Sequence, residues 1–317
     1  MKAIIYTTYG SPDVLQLAEV EKPTLKANEV LVKIGAAAVN PADNHILSGM
    51  LRYSTGLLKP KQQILGSDIA GMVEAVGEKV TRFQVGDEVF GDLSAHGRGG
   101  FAEYVAAPEL ALALKPDNLS FAQAAAVPMT AVTALQGLRD KGQLQPRQKV
   151  LINGASGGVG TFAVQIAKAL GGEVTAVVST RKIEMIRAIG ADHVIDYTQE
   201  DFTQNGHRYD LIFDTVGNHS VAEYKRVLEP KGSFVTSAFL PALVIQGPWL
   251  SLREGKQMRN MMAKPSQADL VFMTKLLESG KVTPIIDTCY PLEEVPEALK
   301  YIDKGHAKGK VIINHAQ

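Results

Sequence analysis

Residues 149–160 read Lys-Val-Leu-Ile-Asn-Gly-Ala-Ser-Gly-Gly-Val-Gly, an apolar run that turns through glycines into residues at helical spacing. A strand, turn and helix of this kind can aim backbone N–H groups at negative charge, because side chains at the turn would hold a phosphate away. The chemistry it fits is the seating of a dinucleotide pyrophosphate, with Ala155, Ser156, Gly157, Gly158, Val159 and Gly160 as the cradle. The strict fingerprint has glycine at 155, 157 and 160, and position 155 is alanine, so a purely structural turn stays open on this motif alone. A second apolar run, Val174 to Val178, leads into Ser179-Thr180-Arg181-Lys182. NAD-specific sites carry an acidic residue there for the ribose hydroxyls, and this stretch has none. A carboxylate about 4 Å from a 2′-phosphate costs about 4 kcal/mol at an effective dielectric of about 20, and a cation gains a comparable gross amount before screening. Ser179, Arg181 and Lys182 therefore predict NADP(H) rather than NAD(H). The alternative for the two cations is a solvated helix start, although cations in a first turn oppose the helix dipole.

These residues need elements to hold them. Strands near 149–153, 173–178, 193–196, 209–215 and 232–237, with helices among them, predict a doubly wound parallel sheet. Upstream, short β-like runs at 3–6, 29–36, 70–76, 88–91 and 102–105 alternate with Gly, Pro and Asn turns, the texture of a compact antiparallel barrel. Ser120 and Gln123 make a capping box, and helical spacing persists past Pro128 towards Leu138, which predicts a linking helix. Ser266 caps a helix through Leu277 that stops at Gly280, and the segment from Ile285 to Ile313 reads as the sheet's last strand followed by a return to the first domain. The span from Phe239 to Lys264, with Trp249, Met258, Met261 and Met262, is compatible with an acceptor pocket, a dimer contact or core filler. The fold class is α/β in two domains.

The 317 residues are 45% hydrophobic and 21% charged, an ordinary globular composition. Thirty-three basic and thirty-three acidic residues cancel, which disfavours nucleic acid as a partner. No run of eighteen apolar residues appears and the N-terminus enters a strand directly, so no membrane partner and a cytoplasmic location are expected. Cys289 is the single cysteine, which excludes an intrachain disulfide and a cysteine-based zinc site, and the seven histidines form no spaced ligand cluster.

Further pieces in order are Val39-Asn40-Pro41-Ala42-Asp43, Gly66-Ser67-Asp68-Ile69-Ala70-Gly71, Val85-Gly86-Asp87-Glu88-Val89, Gly100-Phe101-Ala102-Glu103-Tyr104, Asp214-Thr215-Val216-Gly217 and Gly309-Lys310-Val311-Ile312. Together with the glycine loop they resemble the medium-chain dehydrogenase/reductase superfamily, in its zinc-independent quinone and enone oxidoreductase branch. The resemblance implies a GroES-like β-barrel catalytic domain over 1–126 and 284–317, and a Rossmann NADP-binding domain over 127–283. Zinc-dependent relatives carry a Gly-His-Glu where this chain has Gly66, Ser67 and Asp68, so Asp68 is expected to be a structural carboxylate paired with a cation. The resemblance puts Asn40 and Asp43 beside nicotinamide and substrate, Thr130 at the nicotinamide ribose, Val216 and Gly217 at the nicotinamide end, Tyr197 over the 2′-phosphate with Ser179 and Arg181, and Lys310 among the cofactor residues. For Asn40 a turn role before Pro41 stays open, and for Tyr197 ordinary packing. Tyr53 is the expected proton donor, with Arg52, Lys61 or solvent as alternatives. The implied activity is NADPH-dependent reduction of quinones or of the C=C bond of α,β-unsaturated carbonyls, in a homodimer. Without a Lewis acid, conjugate reduction is easier than reduction of a simple ketone, since charge spreads to a remote oxygen. An enoyl-thioester reductase and a non-catalytic NADPH-binding, crystallin-like or RNA-binding protein remain as alternatives.

Overall fold

The computed structural model describes residues 1–315. Contacts divide the chain into two units. The first comprises Met1–Met129, Pro265–Glu278 and the described chain from Pro284 onward; the second comprises Thr130–Lys264 and Ser279–Thr283.

The first unit is built on a seven-stranded sheet. Its path runs Ile286–Pro291, Lys310–Asn314, Glu29–Val39, Asp68–Val76, Glu88–Asp92 and Leu112–Leu114, with Tyr104–Pro108 also on Glu29–Val39. Every pairing is antiparallel except that of Ile286–Pro291 with Lys310–Asn314. Strand Glu29–Val39 alternates little in burial because neighbours cover it on both sides, and its residues Val30, Val32 and Ile34 pack with Ile69, Val73, Val89, Phe101 and Ile313 in one core. The pairing with Asp68–Val76 shifts register twice. Gly71 sits at that irregularity because a Cβ there would stand 2.2 Å from the Lys33 carbonyl oxygen. The capping box at Ser120 forms as the sequence predicts, with Gln123 N–H donating to Ser120 Oγ and Ser120 N–H donating to Gln123 Oε1.

The second unit is a six-stranded, wholly parallel sheet in the order His193–Asp196, Glu173–Val178, Lys149–Asn153, Tyr209–Asp214, Leu228–Thr236, Gln257–Asn260. This is the doubly wound Rossmann order, with its first strand inside the sheet and leading into the glycine loop. Gln165, buried on the helix Gly158–Ala169, clamps residue 283 through two bonds, donating Nε2–H to the Thr283 carbonyl and accepting from Thr283 N–H.

Two expectations are corrected. The sheet's last strand is Gln257–Asn260, not a strand near Ile285; the latter run forms Ile286–Pro291 in the first unit. Gln257-Met258-Arg259-Asn260 is an edge strand with only Met258 buried, so it lacks the apolar run by which central strands announce themselves. Residues 265–278, expected in the cofactor domain, cluster with the first unit. There Gln267 Nε2 donates to the carbonyls of Glu109 and Leu112, and Asn118 Nδ2 donates to that of Leu277, tying the helix Gln267–Glu278 to the barrel. Among the described residues no helix is long and apolar enough to cross a membrane.

Candidate functional site

The strand Lys149–Asn153 turns into the helix Gly158–Ala169 through Gly154, whose φ of +81° only glycine adopts without strain. A Cβ on Gly154 would also lie 2.3 Å from Thr215 Oγ1. The sequence reading starts the cradle one residue later and so misses Gly154, although the dipeptide Asn-Gly is a turn signal. Gly160 is required internally, since its Cβ would stand 2.1 Å from the Gly154 carbonyl oxygen. Gly157, the N-cap residue, is different: a Cβ there would meet only that same oxygen at an ordinary 3.7 Å, and no side chain caps the first turn. The helix thus presents uncapped N–H groups beside a bare glycine that its own fold does not demand, which fits a dinucleotide pyrophosphate brought close to the backbone.

At the end of the second strand, Ser179 leads into the 3-10 turn Thr180–Lys182 with Arg181 exposed and Lys182 half-buried. Tyr197, 61% exposed, follows the neighbouring strand, where its N–H donates to the Val178 carbonyl. A carboxylate is also near, from a place the sequence reading does not consider. Asp196 is paired in register with Val178 and accepts from Thr180 Oγ1–H, Thr198 N–H and Thr198 Oγ1–H. The Thr180 hydroxyl, first among these bonds, holds Asp196 below the usual carboxylate range.

A buried polar hub closes the strand ends. Asp214 accepts from Asn153 Nδ2 at 2.8 Å, Tyr224 OH at 2.9 Å and Thr236 Oγ1 at 2.6 Å. Its two oxygens also receive the N–H groups of Val216 and Gly217, the latter at φ +72°. Asn153, Asp214 and Thr236 end three adjacent strands, so the hub fixes the Val216–Gly217 backbone while leaving the Val216 side chain half exposed. Burial, with the Asp214 charge, pushes the Tyr224 phenol far upward, so it stays a neutral donor. Thr130 is buried in the helix Pro128–Leu135.

In the first unit the structure brings Asn40, Asp68 and Lys310 together in the interior. Lys310 Nζ donates to Asn40 Oδ1 at 2.6 Å, Asp68 Oδ2 at 3.3 Å and the Val39 carbonyl at 3.3 Å. Asn40 Nδ2 donates to Asp68 Oδ2 at 3.0 Å, and Met129 N–H donates to Asp68 Oδ1 at 2.9 Å. Lys310, 2% exposed, spends three hydrogen bonds within this cluster and is the cation paired with Asp68. Asn40, 1% exposed, and Asp43 are equally enclosed. Asp43 caps the helix Pro41–Leu47, accepting from Asn40 N–H and Gly66 N–H, and burial pushes its carboxyl up to about 6. Burial also raises Asp68 despite Lys310, and burial together with the Asp68 charge raises Asp92 to about 6. Tyr53 stands apart on the short helix Arg52–Thr55, 92% exposed.

Among the described residues no three His, Cys, Asp or Glu side chains are grouped to hold a metal ion. Residues 26–117 match the family description Alcohol dehydrogenase GroES-like domain, and residues 189–313 match Zinc-binding dehydrogenase. The chain is similar to a 2-methylene-furan-3-one reductase of Solanum lycopersicum, at 37% identity over 99% of this chain and 79% of the relative. It is similar also to an NADPH-dependent alkenal/one oxidoreductase, chloroplastic, of Arabidopsis thaliana, at 34% identity with the same coverages. Among solved structures, a quinone oxidoreductase from Coxiella burnetii superposes with a TM-score of 0.89 at 29% identity, covering 99% of each chain.

Proposed function

Because the chain belongs to the quinone and enone oxidoreductase branch of the medium-chain dehydrogenase/reductase superfamily, we propose that it reduces quinones or the C=C bond of α,β-unsaturated carbonyls at the expense of NADPH. NADPH, when bound, supplies a hydride for an electron-poor carbon of the acceptor. The observation that carries the reading is the uncapped first turn of Gly158–Ala169 beside Gly157.

The residues divide the work. The backbone of Ala155 to Gly160 binds the pyrophosphate, and Ser179, Arg181, Lys182 and Tyr197 hold the 2′-phosphate. Thr180 takes one oxygen of Asp196 as a hydrogen-bond acceptor, which ties that carboxylate to the turn. The Asp214 hub orients Val216 and Gly217 at the nicotinamide end, with Thr130 at the ribose. Asn40 and Asp43 give a rigid interior that keeps the helix Pro41–Leu47 in place rather than touching the reacting atoms. Tyr53 is so exposed that water delivers the proton that follows hydride addition. NADP(H) selectivity, a homodimer and a cytoplasmic location belong to the same proposal. The open edge of Gln257–Asn260 and the exposed apolar residues Ile245, Trp249 and Leu252 on the adjacent helix Ala242–Glu254 support self-association.

The test is loss of NADPH absorbance with a panel of enones, alkenals and quinones, repeated with NADH and with Arg181→Ala. We expect turnover of conjugated acceptors and a drop of about tenfold in the NADPH-to-NADH preference on removing Arg181. Oxidation of saturated alcohols with no turnover of any conjugated acceptor would sink the proposal.

A further inference from the structure

From Asn44 to Ser67 the chain carries no aspartate or glutamate, yet it holds Arg52, Lys59 and Lys61. Five large apolar side chains in the middle of this stretch face solvent: Met50, Leu51, Tyr53, Leu57 and Leu58, the last 94% exposed. A soluble surface rarely gathers so many within nine residues. Neither poor packing nor a loose loop accounts for it, because the base of the loop is fastened. Tyr9 OH donates to the Gly56 carbonyl at 2.6 Å, Lys61 N–H donates to the Thr55 carbonyl at 2.9 Å, and Arg52 Nε donates to the Gly49 carbonyl at 3.1 Å. Gly56, at φ +131°, makes the bend, and a Cβ on it would stand 2.1 Å from the Lys59 carbonyl oxygen. The tip that follows therefore holds Leu57 and Leu58 outward with Lys59 beside them. Among the described residues Arg52, Lys59 and Lys61 form no ion pair; Glu21 shares a groove of about 460 Å³ with Lys61 without pairing to it. Exposed apolar side chains on a stretch that carries unpaired cations and no carboxylate of its own match one surface, a bilayer with anionic headgroups, where the apolar groups enter the acyl boundary and the cations remain among the phosphates.

We propose that the loop 50–61 docks this protein peripherally on anionic membranes. No spanning helix is required, and the inference stands whether or not the proposed reaction is correct, since its readout is lipid binding. The experiment is co-sedimentation of the full chain with phosphatidylcholine vesicles and with vesicles containing about one third phosphatidylglycerol. Native protein should partition at least tenfold more strongly onto the anionic vesicles, and this preference should fall steeply with salt. Leu57→Asn with Leu58→Asn, at positions too exposed to unsettle the fold, should lower the partition about tenfold or more, and Lys59→Gln with Lys61→Gln should abolish the preference for anionic lipid. Equal partition onto both vesicle types overturns the proposal, as does a leucine variant that binds like the native protein. Binding of a soluble protein to the patch with no vesicle binding would assign it to a protein partner and overturn the proposal equally.

Discussion

Lys310 shows how much one residue can settle. Its ammonium is shared by Asn40, Asp68 and a main-chain carbonyl in a region where an unpaired charge is costly. Lys310→Met should destabilise the protein by about 3–5 kcal/mol in urea unfolding, and adding Asp68→Asn should restore part of that loss, because the second change removes the orphaned carboxylate. Additive losses would show that the pair is not coupled. Asp92 makes a pH prediction. Its carboxyl, ordinarily near 3.8, is raised to about 6, so the folded protein holds this proton more tightly than the unfolded chain does. The associated stability is complete below about 4, falls as pH rises to about 6 and is flat above. Asp92→Asn keeps an acceptor for Ser94 N–H and should shallow that fall without removing it, since Asp43 titrates in the same window. Unfolding measured across this pH range checks it; an unchanged slope would count against the assignment.

At the scale of elements, the glycine loop separates folding from binding. Gly160→Ala must push a methyl group into the Gly154 carbonyl, and we expect loss of folded protein. Gly157→Ala meets nothing closer than 3.7 Å, so its stability cost should stay near 1 kcal/mol while NADPH affinity drops about tenfold or more. Thermal unfolding and cofactor titration of the two variants distinguish these outcomes. The same element shows what sequence can reveal. Strands Lys149–Asn153 and Glu173–Val178 coincide with the predicted runs because their centres are buried and apolar, His193–Asp196 keeps the apolar pair Val194-Ile195 although only Ile195 is buried, and the capping boxes carry their own residues. Gln257–Asn260 escapes prediction because an edge strand need not be apolar. Asp196 escapes because it reaches Thr180 from another strand, sixteen residues away, and the pairing of Lys310 is hidden because its partners lie 242 and 270 residues distant. Local pattern reports what a residue is, while long-range pairing decides what its charge does.

For the whole molecule the decisive feature is that the first unit is assembled from three stretches of chain, with Lys310–Asn314 inserted against Ala36–Val39. A chain ending at Gly309 should lose the antiparallel sheet while the parallel sheet, complete by Thr283, persists; limited proteolysis should yield a resistant fragment beginning near residue 130. Resistance of residues 1–126 in that truncated chain would contradict this. The arrangement also bears on synthesis. Glu29–Val39 leaves the ribosome early but receives its neighbour only after some 270 further residues, a wait on the order of tens of seconds at about 5–20 residues per second. The first strand of this sheet to be made is thus left with an unsatisfied edge at Ala36–Val39 through most of translation, and the nascent protein's need for chaperones should be greatest at the half of the chain that emerges first.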